Sequence, residues 1–207
     1  MISAEDALLE LQNGNRRFVA GDINAATVAS RAHQAGMSDG QAPFAIILAC
    51  SDSRVPVELV FDQGLGDLFV IRVAGNIVAP SQIGSIEFAA SQFGTGLVVV
   101  LGHSNCGAVI ATLDELSLGH THRSPNLRAI VDRVRPAIEP VLKAHENSDQ
   151  ATLTAAAVRA NIHASVGQLS RGSLILEQLI SDGKLRIVGA EYSIETGEVE
   201  FFAQGGS

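Results

Sequence analysis

Three residues at two places in the chain have the chemistry to share a metal ion. Cys50 follows the apolar run Phe44–Ala49, and His103 and Cys106 form an H-x-x-C pair at the end of the run Leu97–Gly102. They include both of the cysteines in 207 residues. Two thiolates and an imidazole suit zinc, which takes sulfur and nitrogen ligands tetrahedrally, and three protein ligands with one open position mark a catalytic zinc site. The thiolates neutralise the dication. A helix starting at Cys106 would also favour its thiolate through the positive end of the helix dipole. Two inert buried thiols, or a thiol nucleophile served by His103, are the competing readings of the same residues. Asp52 and Arg54 flank Cys50. As a surface ion pair they would contribute little. Beside a metal, Asp52 either closes the site as fourth ligand or takes a proton from metal-bound water while Arg54 holds it off the metal.

Positioning these residues requires strands that end where they begin. The runs 44–49, 68–73, 97–102 and 185–190 are short and continuously apolar, as strands buried on both faces of a parallel sheet are. Helical patterns separate them over about 81–93, 107–117, 125–145, 152–170 and 173–182, with Gly183 as a stop signal. A further helix is predicted over 3–20, capped by Ser3 with Asp6. The turn Glu195-Thr196-Gly197 predicts that 198–203 returns as an antiparallel edge strand. Ser81 reads as a helix cap and Asn76 as a turn residue, and Pro136 and Pro140 should bend or break the helix around them. The fold class is α/β: a mainly parallel four-stranded sheet flanked by helices, with an added antiparallel edge strand and an N-terminal helical arm. One domain over 1–207 is expected, with helix and arm at 1–43 and an α/β core at 44–207. In such a sheet ligands bind beyond the carboxyl ends of the strands. Both cysteines fall there.

Composition narrows the possibilities. Fourteen Lys and Arg against 22 Asp and Glu give a net charge of −8, with no basic face for nucleic acid. Charged residues make up only 17% and apolar residues 46%, which excludes disorder and suggests that part of the surface is covered by another subunit. No apolar run approaches the roughly 18–20 residues of a membrane span, and the acidic start MISAEDALLE lacks a secretory pattern, so no membrane association and a cytoplasmic location are expected. No glycine-rich nucleotide motif is present. His120 and His122 form an H-x-H read as a solvated loop, and His33 lies in the arm.

The segments C-S-D-S-R-V-P (50–56) and G-H-S-N-C-G-A (102–108) resemble those of β-class carbonic anhydrases. F-D-Q-G-L-G-D-L-F-V-I-R-V-A-G-N-I-V (61–78) and the G-x-L-x-I-x-G-x-x-Y pattern over Gly183–Tyr192 extend the likeness to roughly residues 3–203. The resemblance implies one Zn2+ per chain on Cys50, His103 and Cys106, with Asp52 and Arg54 as the catalytic dyad. It further implies reversible hydration of carbon dioxide to bicarbonate and a proton through zinc-bound hydroxide. Gln41 matches the substrate glutamine of the plant-like branch and is expected to serve the neighbouring subunit's site. Gly107 would lie beside the metal, and Phe69, Ala74 and Phe88 match an apolar pocket, Phe88 from across a dimer interface. A homo-oligomer, dimer or tetramer, follows. Ile47 stands where one branch carries the Trp of a bicarbonate switch, alongside matching Arg72 and Tyr192. With two thiolates the metal is a weaker Lewis acid than with three imidazoles, so activity should rise into the alkaline range. The same scaffold would also serve a zinc hydrolase of carbonyl sulfide or carbon disulfide, or a non-catalytic zinc-stabilised protein with Asp52 permanently on the metal.

Overall fold

A computed structural model describes residues 2–23, 40–118 and 124–202 of the chain. Five strands form one sheet: β1 (Ala45–Ala49), β2 (Leu68–Arg72), β3 (Leu97–His103), β4 (Arg186–Tyr192) and β5 (Val199–Phe201), in the order β2-β1-β3-β4-β5. The first four are mutually parallel, and β5 pairs antiparallel with β4 as the hairpin signal at Gly197 predicts. Gly197 adopts φ +79°, a left-handed conformation open to glycine at little cost.

The strands are buried on both faces, which is why they read as continuous apolar runs. Ile46 and Leu48 of β1, with Cys50 just beyond it, face one layer, and Ala45, Ile47 and Ala49 face the other. The first layer is packed by α3 (Pro80–Gln92), α4 (Gly107–Leu118), α5 (Pro125–Ala144), α6 (Gln150–Arg171) and α7 (Leu174–Ser181). The second is covered by α1 (Ala4–Ala20) and the single turn α2 (Val57–Val60), through Ala7, Leu11, Val57, Val60 and Phe61. At about 1.5–3 kcal/mol per fully buried aliphatic side chain, these two layers supply the main driving force of the fold. Among the described residues, no helix is long and apolar enough to cross a membrane.

Local signals behave as their chemistry requires. Ser3 caps α1, its Oγ accepting the Asp6 N–H at 3.1 Å. Asn15, buried on α1, donates to the carbonyls of Val60 and Gly197 and accepts from the Val199 N–H, so it ties helix to hairpin. One residue earlier, Gly14 lets the helix lie directly on the Phe61 carbonyl. A Cβ there would fall 1.8 Å from that oxygen. Gly14→Ala should therefore destabilise the fold by about 1–3 kcal/mol, the range for forced overpacking, seen as a lower urea midpoint. A wild-type midpoint would contradict this contact.

Two expectations are corrected. First, α5 runs unbroken through Pro136 and Pro140. Both prolines are exposed and one turn apart on the outer face, so the carbonyls that lose a partner lie on exposed residues rather than in the core. Second, Ser81 does not cap α3. That helix starts at Pro80, whose fixed φ suits a first position, and Ser81 Oγ donates to Gln82 Oε1 at 3.0 Å instead. Two short elements, α2 and a 3-10 turn over Ala74–Asn76, add to those predicted. Asn76 is a turn residue as expected, with φ +43°. Most of the arm and the His33, His120 and His122 positions lie outside the described residues.

Candidate metal centre

The chain builds β1, crosses to β2 at one side, and returns to lay β3 on the other side of β1. Beyond the carboxyl ends of β1 and β3 the strand order reverses, which opens a crevice at that point. Cys50 leaves β1 there, and His103 is the last residue of β3. Cys106 directly precedes α4, and its carbonyl accepts the Ile110 N–H at 3.0 Å.

The sulfurs of Cys50 and Cys106 lie 4.0 Å apart and form no disulfide. With a ring nitrogen of His103 they make a group whose ligand atoms all lie within 4.8 Å of one another. All three residues are buried, His103 completely. His103 Nδ1 is 2.9 Å from the Ser104 carbonyl. A carbonyl only accepts, so the ring proton belongs on Nδ1, leaving Nε2 a lone pair. That buried Nε2 has no hydrogen-bond partner. An orphaned nitrogen facing two thiols fits a metal with open coordination, and the nitrogen and sulfur donor set fits zinc.

The electrostatics agree. The hydrogen bond from Cys106 holds the Cys50 thiol well below its ordinary range, against the opposing effect of burial, with help from His103 and the Gly75 N–H. The same contact, burial and the Cys50 charge push Cys106 upward. Burial disfavours a charged His103, but the adjacent Cys50 sulfur, the Ser104 carbonyl and Asp52 outweigh it, so the net shift is upward. The pocket thus carries one thiolate readily and favours a cation beside it.

Asp52 stands at the mouth of this cluster, its Oδ2 3.8 Å from His103 Nε2. It is turned onto Arg54, which donates from Nε to Oδ1 at 2.9 Å, from Nη2 to Oδ2 at 2.7 Å, and from its own backbone N–H to Oδ1 at 2.9 Å. These bonds, the guanidinium first, hold the Asp52 carboxyl well below the usual carboxylate range. This is the arrangement with Asp52 off the ligand cluster. Arg72 donates to the carbonyls of Cys50 and Asp52 and fastens the loop.

The pocket residues divide into two groups. Gly107 follows Cys106 and is exposed, with space around its Cα, and Ala74 precedes Gly75, whose N–H donates to Cys50 Sγ at 3.3 Å. Phe69 is level with Ile46 on β1, four residues before Cys50, or about 13 Å along the strand. It meets Phe88 at 6.3 Å and Phe93 at 6.2 Å between ring centroids. Phe88 is 52% exposed. Gln41, also exposed, precedes β1, so the strand's whole length separates it from the cluster of its own chain.

Sequence reading passed over Phe93, the Gly75 donor, and Asn161 and Ser165, which support the Gly75 turn from α6. A signal for the last two existed. They are polar residues four apart on the stripe that also carries Ala157, Val158, Ile162 and Leu169.

The model of the carbonic anhydrase family matches residues 45–199. Carbonic anhydrase 2 of Mycobacterium tuberculosis (strain ATCC 25618 / H37Rv) is 38% identical over 187 residues, covering 90% of this chain and 87% of that protein. A carbonic anhydrase of Mycolicibacterium smegmatis (strain ATCC 700084 / mc(2)155) is 39% identical over 192 residues, covering 92% and 89%. The solved β-carbonic anhydrase CcaA superposes with a TM-score of 0.76 at 27% identity, over 97% of this chain and 93% of that one. One of two tetrameric β-carbonic anhydrases of Sordaria macrospora shares the fold at a TM-score of 0.76 and 22% identity, over 88% and 94%. With its cysteine–histidine–cysteine cluster at the sheet's switch point and these relatives along nearly its whole length, the chain belongs to the carbonic anhydrase family, in its β class.

Proposed function

We propose that this protein is a zinc enzyme that interconverts carbon dioxide and water with bicarbonate and a proton. The observation that carries this is the unpartnered His103 Nε2 facing two thiols, with an ionised carboxylate held 3.8 Å away by an arginine. Cys50, His103 and Cys106 would hold the metal. Zinc bound there supplies Lewis acidity, which lowers the pKa of water toward neutrality. Asp52 accepts the hydrogen bond of the attacking water and so aims the oxygen lone pair at carbon. Its depressed pKa keeps it an acceptor throughout the working range. Arg54 anchors it there, so that Asp52 would not itself become a ligand of the metal. The test is hydration of carbon dioxide by zinc-loaded protein with a pH indicator. Turnover rising from roughly pH 6.5 to about 9 is expected, and none in fully loaded protein would overturn the assignment.

The same reading makes Gln41 a substrate-binding residue acting in trans, the mark of the plant-like branch. Gln41, Phe69 and Phe88 lie toward the amino end of β1, too far to serve their own cluster, and two of them are exposed. A neighbouring copy that brings this end to its own Cys50 would gain an amide donor for a substrate oxygen and an apolar wall for neutral carbon dioxide, completed by Ala74 and Gly107. The assembly is then a homo-oligomer, dimer or tetramer, of chains each acting as one domain, with 1–43 as helix and arm and 44–207 as core. Two cysteines kept as thiols suit a cytoplasmic setting. Gln41→Ala should lower kcat/KM by up to about tenfold, the loss of one hydrogen bond. Co-assembled Gln41→Ala and Asp52→Asn chains should exceed the activity of either alone, because one site per mixed pair regains both groups. Activity no higher than that of the separate variants would exclude the trans role.

A further inference from the structure

Cys50 Sγ accepts a hydrogen bond from the Gly75 N–H at 3.3 Å. The donor sits in a turn whose own hydrogen bond, from the Asn76 N–H to the Val73 carbonyl at 3.0 Å, does not satisfy the Gly75 and Asn76 carbonyls. Gly75 and Asn76 are consecutive residues at positive φ, +72° and +43°. On the amino side the turn is fixed to the sheet by the Val73 N–H on the Ala49 carbonyl at 3.1 Å. On the other side both carbonyls are tied to α6. Asn161 Nδ2 donates to the Gly75 carbonyl at 2.8 Å, and Ser165 Oγ donates to the Asn76 carbonyl at 3.1 Å. Asn161 is 2% and Ser165 4% exposed, so both polar groups were taken out of water to make these bonds. The site is also cleared for them. A Cβ on Gly102 would fall 2.5 Å from Ile162, the α6 residue beside Asn161. The mechanism uses neither side chain, yet a buried amide and hydroxyl four residues apart on an apolar stripe would be costly without a role.

We infer that Asn161 and Ser165 are positioning residues that, through the Gly75–Asn76 turn, aim the Gly75 N–H at the Cys50 sulfur and so set how tightly that sulfur holds zinc. The inference rests on Cys50 being a zinc ligand. A hydrogen bond to a ligating sulfur withdraws electron density and fixes its direction, and outer partners of this kind typically alter metal affinity 10–100-fold. Without Asn161 the Gly75 carbonyl is released and the turn can drift, although no ligand has been touched.

The test compares wild type, Asn161→Ala, Ser165→Ala and Val158→Ala as zinc-loaded enzymes. Val158 is equally buried on α6 and contributes only apolar contacts, so it controls for loss of packing. Release of zinc to a chromophoric chelator should be about 10–100-fold faster in Asn161→Ala, faster in Ser165→Ala, and unchanged in Val158→Ala. In cobalt-substituted protein, the sulfur-to-cobalt charge-transfer band should shift in Asn161→Ala and Ser165→Ala and stay in place in Val158→Ala. Wild-type release and an unmoved band in Asn161→Ala would overturn the inference, as would equal acceleration by Val158→Ala. If Asn161→Ala does not fold, Ser165→Ala decides by the same criteria. Wild-type protein that binds no zinc would instead overturn the ligand assignment itself.

Discussion

Cys106→Ala is expected to leave the protein without its metal. Cys106 is 1% exposed and supplies one of three donors converging on one point. Zinc bound to four-ligand peptides is held by roughly 10–16 kcal/mol, or about 2.5–4 kcal/mol per ligand, so removing one donor should weaken binding by about 100–1000-fold. The variant should lose zinc on dialysis against a chelator that wild type survives, and lose hydration activity with it. The remaining pair is poorly suited to substitute, because His103 is fixed by its Ser104 bond and Cys50 by the Gly75 N–H. Metal analysis after dialysis is the check. One zinc per chain in folded Cys106→Ala protein would mean that the ligand set is wrong.

The second large effect leaves the metal in place. Asp52→Asn should keep one zinc per chain while kcat falls by about 100–10,000-fold, the contribution of a positioned proton acceptor. An amide is a poor proton acceptor, and its NH2 would face the Arg54 guanidinium, donor against donor. The pH dependence follows from the shift. The Asp52 pKa is lowered in the folded chain, so the carboxylate is ionised throughout the neutral and alkaline range, and the deficit should be the same across it. Stability contributed by the Asp52–Arg54 pair is complete above the ordinary carboxylate pKa. It is lost only as pH falls through the depressed value. Kinetics with parallel zinc assays test both points. A kcat within twofold of wild type, or a deficit confined to low pH, would remove Asp52 from the mechanism.

The residues of this centre were legible in sequence because each ligand lies at or just beyond a strand end. Strands 44–49 and 97–102 announce themselves as runs without alternation, and the residues that follow have chemistry no core needs. The β4–β5 hairpin was equally open to reading, since Gly197 is a turn residue by conformation. The supporting shell was not. The Gly75 N–H is a backbone atom and carries no signature, and the bond from Asn161 to the Gly75 carbonyl spans 86 positions of sequence. The hold of Arg72 on two carbonyls of the Cys50–Asp52 loop was equally hidden, since its partners are backbone atoms some twenty positions away. The prolines of α5 misled for a related reason. Their cost depends on which face they occupy, and that is set by what α5 packs against.

Zinc dependence of carbon dioxide hydration is the most direct test of this assignment. Protein stripped of metal and titrated with zinc should gain turnover in proportion to bound metal, reach its maximum at one zinc per chain, and lose turnover again on chelation. Turnover that persists in metal-free protein, or no turnover at one zinc per chain, would contradict it.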